Sequence, residues 1–265
     1  MLSRSRRAAL LAGLVALGLA AFSCGDGEPP ASGHATPSPQ RISGGVYLAL
    51  GDSLAAGGGA SDAARTSYVA LVAEALRSRF GESLEVQSLA VGGHATEDLI
   101  NQQLPAAIDS LDAGDVRLVT LTIGGNDLNQ YAAYPACVED PSDPDCPIED
   151  GLLEVEAQLD RILGRLRTAD PDVTIAIQAY PNLFWGTDHQ LERSADIALD
   201  LLNGVIISVA ERHDALVADP RADFAGRGGE LTHLLDPTPD LHPNDAGHRA
   251  IAEAFLEALG ILEAD

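Results

Sequence analysis

Short apolar runs, several of them rich in β-branched residues, recur along the chain at 46–50, 84–89, 116–123, 173–179 and 215–218. Each has the length of a strand, and their continuous apolar character is that of strands buried on both faces. Between them lie longer segments, 68–80, 96–111, 152–166, 191–212 and 245–259, whose apolar residues return every three to four positions. That period is the buried stripe of a helix. Strand and helix alternate five times, which predicts an α/β fold with a five-stranded, mostly parallel sheet between two helix layers. No internal repeat is visible. Asn244-Asp245 suits the N-cap of the last helix and places His242 on the loop before it.

The pattern at the N-terminus is different. Arg4, Arg6 and Arg7 precede an apolar run over 8–22 and then Ser23-Cys24-Gly25, the layout of an export signal over residues 1–23. This resembles a bacterial lipoprotein cleavage site, so Cys24 is expected to be the lipid-bearing end of an exported cell-surface or periplasmic lipoprotein, with simple secretion or an uncleaved anchor as the alternatives. The Arg6-Arg7 pair is a weaker hint of twin-arginine export. Residues 24–44 are dominated by Gly, Pro, Ser and Thr and form a flexible linker, which leaves 45–265 as one domain.

Charge narrows the function classes. The 265 residues carry a net charge of -24, and all sixteen basic residues are arginine. Nucleic acid and anionic membrane surfaces are repelled, so membrane contact is expected only through the lipid, and a monomer is expected. Without lysine there is no Schiff base, no Ser-Lys pair and no phosphate-binding P-loop. Cys137 and Cys146 flank an acidic, proline-rich loop, and in an exported protein two such cysteines are expected to form a disulfide. Their spacing fits no zinc pattern. The surrounding acids lack a calcium-loop register, so no metal or organic cofactor is expected.

Polar motifs close the strands. Gly51-Asp52-Ser53-Leu54 follows the first, Gly92-Gly93 the second and Gly124-Gly125-Asn126-Asp127 the third, while Asp240-Leu241-His242-Pro243 precedes the last helix. In open parallel sheets the crevice outside the strand C-termini binds ligands. A serine there is a reachable nucleophile once an imidazole takes its proton, although capping the following helix is an equally ordinary job for Ser53. Among the other histidines, His34 lies in the linker, His189, His213 and His248 read as helix residues, and His94 and His233 as loop spectators. Gly93 and Asn126 can supply a backbone N–H and an amide to an oxyanion, although each glycine pair alone reads as a tight turn.

In order, these four blocks resemble those of the GDSL esterases, or SGNH hydrolases, over roughly residues 45–260. The resemblance implies a flavodoxin-like three-layer α/β/α sandwich, Ser53 as nucleophile, His242 as base, and an oxyanion hole made by the Ser53 N–H, Gly93 and Asn126. The family's usual acid, three residues before the histidine, falls here on Pro239. Asp240 is the first choice to orient His242, with a backbone carbonyl and Asp236 also open. Ser88, where the family often has asparagine, reads as structural.

The implied function is ester hydrolysis through an acyl-enzyme on a small-molecule, lipid or glycan ester. Acyl esters, lysophospholipids and acetylated polysaccharides all remain open as substrates. Tyr131, Tyr134, Phe184 and Trp185 are candidate substrate contacts or packing residues, and Gly57-Gly58-Gly59 reads as a flexible rim loop. The alternative from another class is a non-catalytic surface protein binding glycan or a partner on the same fold.

Overall fold

The protein is described here by a computed structural model covering residues 45–81 and 83–262; the leader 1–23, the lipidation candidate Cys24 and the linker 24–44 lie outside the described residues. Strand β1 (Gly45–Gly51) runs up the middle of the sheet, and its Tyr47, Leu48, Ala49 and Leu50 are fully buried. It pairs in parallel with β2 (Leu84–Ser88) on one side and β3 (Val116–Thr122) on the other. Strands β4 (Thr174–Gln178) and β5 (Leu216–Ala218) continue beyond β3, giving the all-parallel order β2-β1-β3-β4-β5. Because the chain leaves β1 in one direction and then returns past it to β3, loops at the C-terminal ends of β1 and β3 diverge and open a crevice.

Right-handed crossovers place helices travelling in opposite directions on opposite faces of the sheet, which makes three layers. Helix α1 (Tyr68–Phe80) begins at Ser67, whose hydroxyl accepts the Ala70 N–H. Ser53 therefore does not cap it. The segment expected as one helix over 96–111 is instead α2 (Thr96–Asp98), a π-helical turn at Leu99–Gln103 and α3 (Leu104–Asp112). Pro105 has no N–H for the carbonyl of Asn101, so the ladder rewinds just before it. The wider turn carries the Gln103 side chain inward to the end of β1, where it is buried.

After β3 a 3₁₀ helix (Gly125–Ala133) and α4 (Pro135–Glu139) lead into a loop closed by the Cys137–Cys146 disulfide. Helix α5 (Ile148–Ala169) starts earlier than its sequence pattern indicated, because Ile148 joins the buried stripe through Leu152, Val155, Leu159 and Ile162. Helix α6 (Glu192–Arg212) packs beside it. Two short helices, α7 (Arg221–Phe224) and α8 (Gly228–Leu231), precede an antiparallel pair of β6 (Thr232–His233) with β7 (Asp240–Pro243). His242 thus sits on a strand, not on the expected loop. Strands of two and four residues are too short to show any period. Pro243 is tolerated as the last residue of a ribbon edge, where no donor is required. Helix α9 (Asp245–Ala258) then packs against α1, with Asn244 as its N-cap accepting from Ala246 and Gly247.

The disulfide closes a short loop between α4 and α5. Replacing both cysteines by alanine is expected to lower unfolding free energy by about 2–3 kcal/mol, from the loop-closure entropy of a short cross-link. Urea unfolding of the C137A/C146A variant checks this; an unchanged midpoint would show that the loop holds its shape without the bond.

Candidate active site

Ser53 leaves the end of β1 half-buried, in a backbone braced on three sides. Gly51 ahead of it is gripped by the buried Gln103 amide, which accepts the Gly51 N–H at 2.9 Å and donates to the Gly51 carbonyl at 2.8 Å. The same amide donates to His94 Nδ1 at 3.0 Å, tying β1 to the loop after β2. Asp52 turns inward, accepting the Leu54 N–H at 2.9 Å and the Tyr180 hydroxyl at 2.6 Å. Among the described residues neither the hydroxyl nor the N–H of Ser53 has a protein partner.

His242 approaches from the other end of the sequence. Its Nδ1 lies 2.6 Å from Asp240 Oδ1, which also accepts the His242 backbone N–H at 3.1 Å. A carboxylate on Nδ1 selects the tautomer in which Nδ1–H donates and Nε2 is left as a base. Partial burial works to raise the Asp240 carboxyl, but its bonds from His242 hold it below the usual carboxylate range. Asp236 is engaged elsewhere, 2.7 Å from His233 Nδ1.

The imidazole rests on Gly58. A Cβ at that position would lie 2.9 Å from the Ser53 carbonyl oxygen and 3.1 Å from His242 Nε2, so histidine and serine share the space that a side chain would fill. Gly59, at φ +83°, is as tightly placed, since its Cβ would meet His242 Cβ at 2.7 Å. The glycine run is therefore a packed seat rather than the flexible rim loop expected from its composition. The lack of a side chain serves close approach here, not backbone freedom.

Asn126 lies half-buried on the 3₁₀ helix after β3, and its Nδ2 donates to the His94 carbonyl at 3.0 Å while its Oδ1 accepts from Asn129 at 3.1 Å. Next to it, Asp127 accepts from the Thr96 N–H at 3.1 Å and its hydroxyl at 2.6 Å, and Thr96 also meets Gln158. Burial raises the Asp127 carboxyl despite these bonds. Asn126 and Asp127 together hold the loop that carries Gly92 and Gly93. A Cβ on Gly92 would lie 3.7 Å from Ser53 Cβ. Gly93 stands one residue on, at φ +83°, exposed and with its N–H unpartnered among the described residues.

Ser53, Asn126 and His242 line one cavity of about 360 Å³. Gly93 and Asp240 lie beside it without lining it. The remaining wall is mainly apolar: Leu54 near the serine, Leu128 and Tyr131 from the 3₁₀ helix, Cys137 and Val138 from the stapled loop, Ala195, Ala198 and Leu199 from α6. Phe184 contributes to it and stacks on His189 with ring centres 4.5 Å apart, whereas Tyr134 and Trp185 are exposed and off the lining. Among the described residues no cluster of three or more His, Cys, Asp or Glu is placed to hold a metal ion.

Three contributors carry no signal of their own in the sequence: Gln103, Tyr180 and Asp52, the last of which lies inside the Gly51-Asp52-Ser53-Leu54 motif. Burial is the largest influence on Asp52 and pushes its carboxyl up to about 6, against the bonds from Tyr180 and Leu54 and the nearby His242. With the folded value above the ordinary 3.8, the protonated acid is the better-tolerated form, so stability from this group is full below 3.8 and falls until about pH 6. Relative to Asp52→Asn, the wild type is expected to lose about 3 kcal/mol of stability across that window. Denaturant titrations of both proteins between pH 3.5 and 7 test it (roughly the span set by the two values); parallel curves would refute it.

Comparison with known proteins follows the same lines. The model of the GDSL-like lipase/acylhydrolase family matches residues 49–250. Lipase 2 of Streptomyces coelicolor is 26% identical over 282 aligned residues, covering 89% of this chain and 92% of that protein. An extracellular lipase from Streptomyces rimosus superposes with a TM-score of 0.61 at 24% identity, over 82% of this chain and 98% of its own. An acetylxylan esterase from Geobacillus stearothermophilus does so with a TM-score of 0.58 at 24% identity, over 83% and 96%. The two solved structures speak to the fold, and the family match over most of the domain speaks to descent: the chain belongs to the GDSL-like lipase/acylhydrolase family and is a carboxylic ester hydrolase.

Proposed function

We propose that the protein hydrolyses acyl esters through an acyl-enzyme on Ser53, with His242 as base, Asp240 orienting His242, and the Ser53 N–H, the Gly93 N–H and Asn126 Nδ2 as oxyanion donors. The observation that carries this reading is that His242, paired with Asp240 at 2.6 Å, lines the same cavity as Ser53, whose hydroxyl has no partner among the described residues. Nε2 takes the hydroxyl proton as Oγ attacks the ester carbonyl. The carbonyl π electrons move to oxygen, where donors already in place meet the charge. Collapse expels the alcohol, which takes the proton from His242, and a water then repeats the sequence to release the acid.

The cavity wall selects among substrates. An acetyl group would leave most of a largely apolar chamber of about 360 Å³ unfilled, whereas an acyl chain of several methylenes gains about 0.8 kcal/mol per buried CH₂. Acyl esters with an extended hydrocarbon chain are therefore preferred over acetylated glycans. Export with a lipid on Cys24 fits such a role outside the cytoplasm, as does an extracellular lipase among the structural relatives.

Ser53→Ala is expected to lower kcat by roughly 10⁴-fold or more, and Asp240→Asn by roughly 10²- to 10⁴-fold. Initial rates on nitrophenyl esters decide it, and near wild-type turnover in S53A would remove the nucleophile assignment. Ala198→Phe, which fills the chamber from α6, is expected to cut kcat/KM for an octanoyl ester by about tenfold or more while sparing the acetyl ester. Equal losses on both would place the acyl chain elsewhere.

A further inference from the structure

The seat beneath His242 is itself held by two other histidines, in opposite ionisation states. His248, buried in α9, accepts the Tyr68 backbone N–H on Nδ1 at 3.3 Å, so its Nε2–H donates to the Gly58 carbonyl at 2.9 Å. One acceptor and one donor make a neutral ring, and burial lowers its basicity. His233 on β6 is different. Its Nδ1 faces Asp236 Oδ2 at 2.7 Å and its Nε2 faces the Gly59 carbonyl at 2.8 Å. Both partners are acceptors, so both ring nitrogens must carry hydrogen, and only the imidazolium satisfies them. Gly59 in turn packs against the base, as its Cβ would lie 2.3 Å from the Pro243 carbonyl oxygen and 2.7 Å from His242 Cβ.

We propose that His233, charged through Asp236, is a positioning residue for His242: it fixes the Gly59 carbonyl and so keeps the glycine seat pressed against the catalytic imidazole. The role rests on His242 being the base. Asp236 first and the Gly59 carbonyl second raise the His233 pKa. The other ionisable groups facing it are Asp240 from β7, which favours its charge, and His248 from α9, which is held neutral by burial. A raised folded value means that the clamp is complete at low pH and is lost as pH rises through that value. Turnover should therefore fall on the alkaline side as His233 gives up its proton, although it contacts no substrate.

The experiment is the pH profile of kcat in the purified protein, with ring ¹⁵N shifts of His233 read in parallel. The shifts are expected to show both nitrogens protonated at neutral pH. His233→Ala is expected to lower kcat about tenfold with KM little changed, the cost of one ordered hydrogen bond. His233→Gln, whose amide can still donate to Gly59 but does not titrate, should recover turnover and lack the alkaline fall. Asp236→Asn should move that fall about one unit lower. A His233 ring found neutral at pH 7 overturns the proposal without reference to catalysis. An active wild type whose alkaline limb is unmoved by Asp236→Asn also overturns it, and leaves the ester-hydrolysis reading standing.

Discussion

The crevice depends on one steric constraint: residue 58 must have no side chain. The Gly58 N–H donates to the Ser53 carbonyl at 2.7 Å, and the open side of the same residue is filled by the His242 ring. A single missing methyl lets segments nearly two hundred residues apart meet. Much of the surrounding chemistry keeps that seat still. His248 holds Gly58 and His233 holds Gly59. Asp245 fastens the far end of the same loop by accepting from Ser61 N–H, Ser61 hydroxyl and Thr66 hydroxyl, bonds that hold its carboxyl near 2.

A second device recurs at the strand ends. Gln103 closes on both backbone groups of Gly51, and Asn203 from α6 does the same to Tyr180, accepting its N–H at 2.7 Å and donating to its carbonyl at 2.9 Å. A buried amide on a helix thus substitutes for the next strand residue, satisfying backbone groups where pairing has ended. Tyr180 and Gly51 are then linked through Asp52, whose carboxylate takes the Tyr180 hydroxyl. Gly125 lacks the Cβ that would strike this tyrosine ring at 2.8 Å. The serine turn is consequently fixed to β4 as well as to β1.

Where sequence was sufficient, the reason is periodicity or a short local motif. Buried strands and the long helices announce themselves by composition over many residues, and Ser53 and Asn126 sit at predictable strand ends, whereas His242 is legible only through its local motif before the last helix. The π turn at Leu99–Gln103 was hidden because Pro105 in the first turn of a helix is ordinary. The β6–β7 ribbon is too short to show alternation, and with it went the partner of Asp236. Asp240 differed in kind: two residues before a histidine is a legible spacing, but only backbone curvature decides whether the side chains meet. His94 and His233 look like loop spectators in sequence because their partners are distant in the chain or backbone groups: Gln103 and Asn126 for the first, the Gly59 carbonyl for the second.

The stapled loop has one wall in solvent and the other on the cavity beside Ser53, through Cys137, Val138 and Pro141. Its cross-link returns the chain to nearly its starting point, with the two Cα atoms 4.9 Å apart, before α5 begins. What lies between the cysteines is thereby set apart in the chain from the strands that carry Ser53 and His242. The cavity lining can accordingly be altered within the eight residues between the cysteines (138–145), away from the strand ends that carry Ser53 and Asn126.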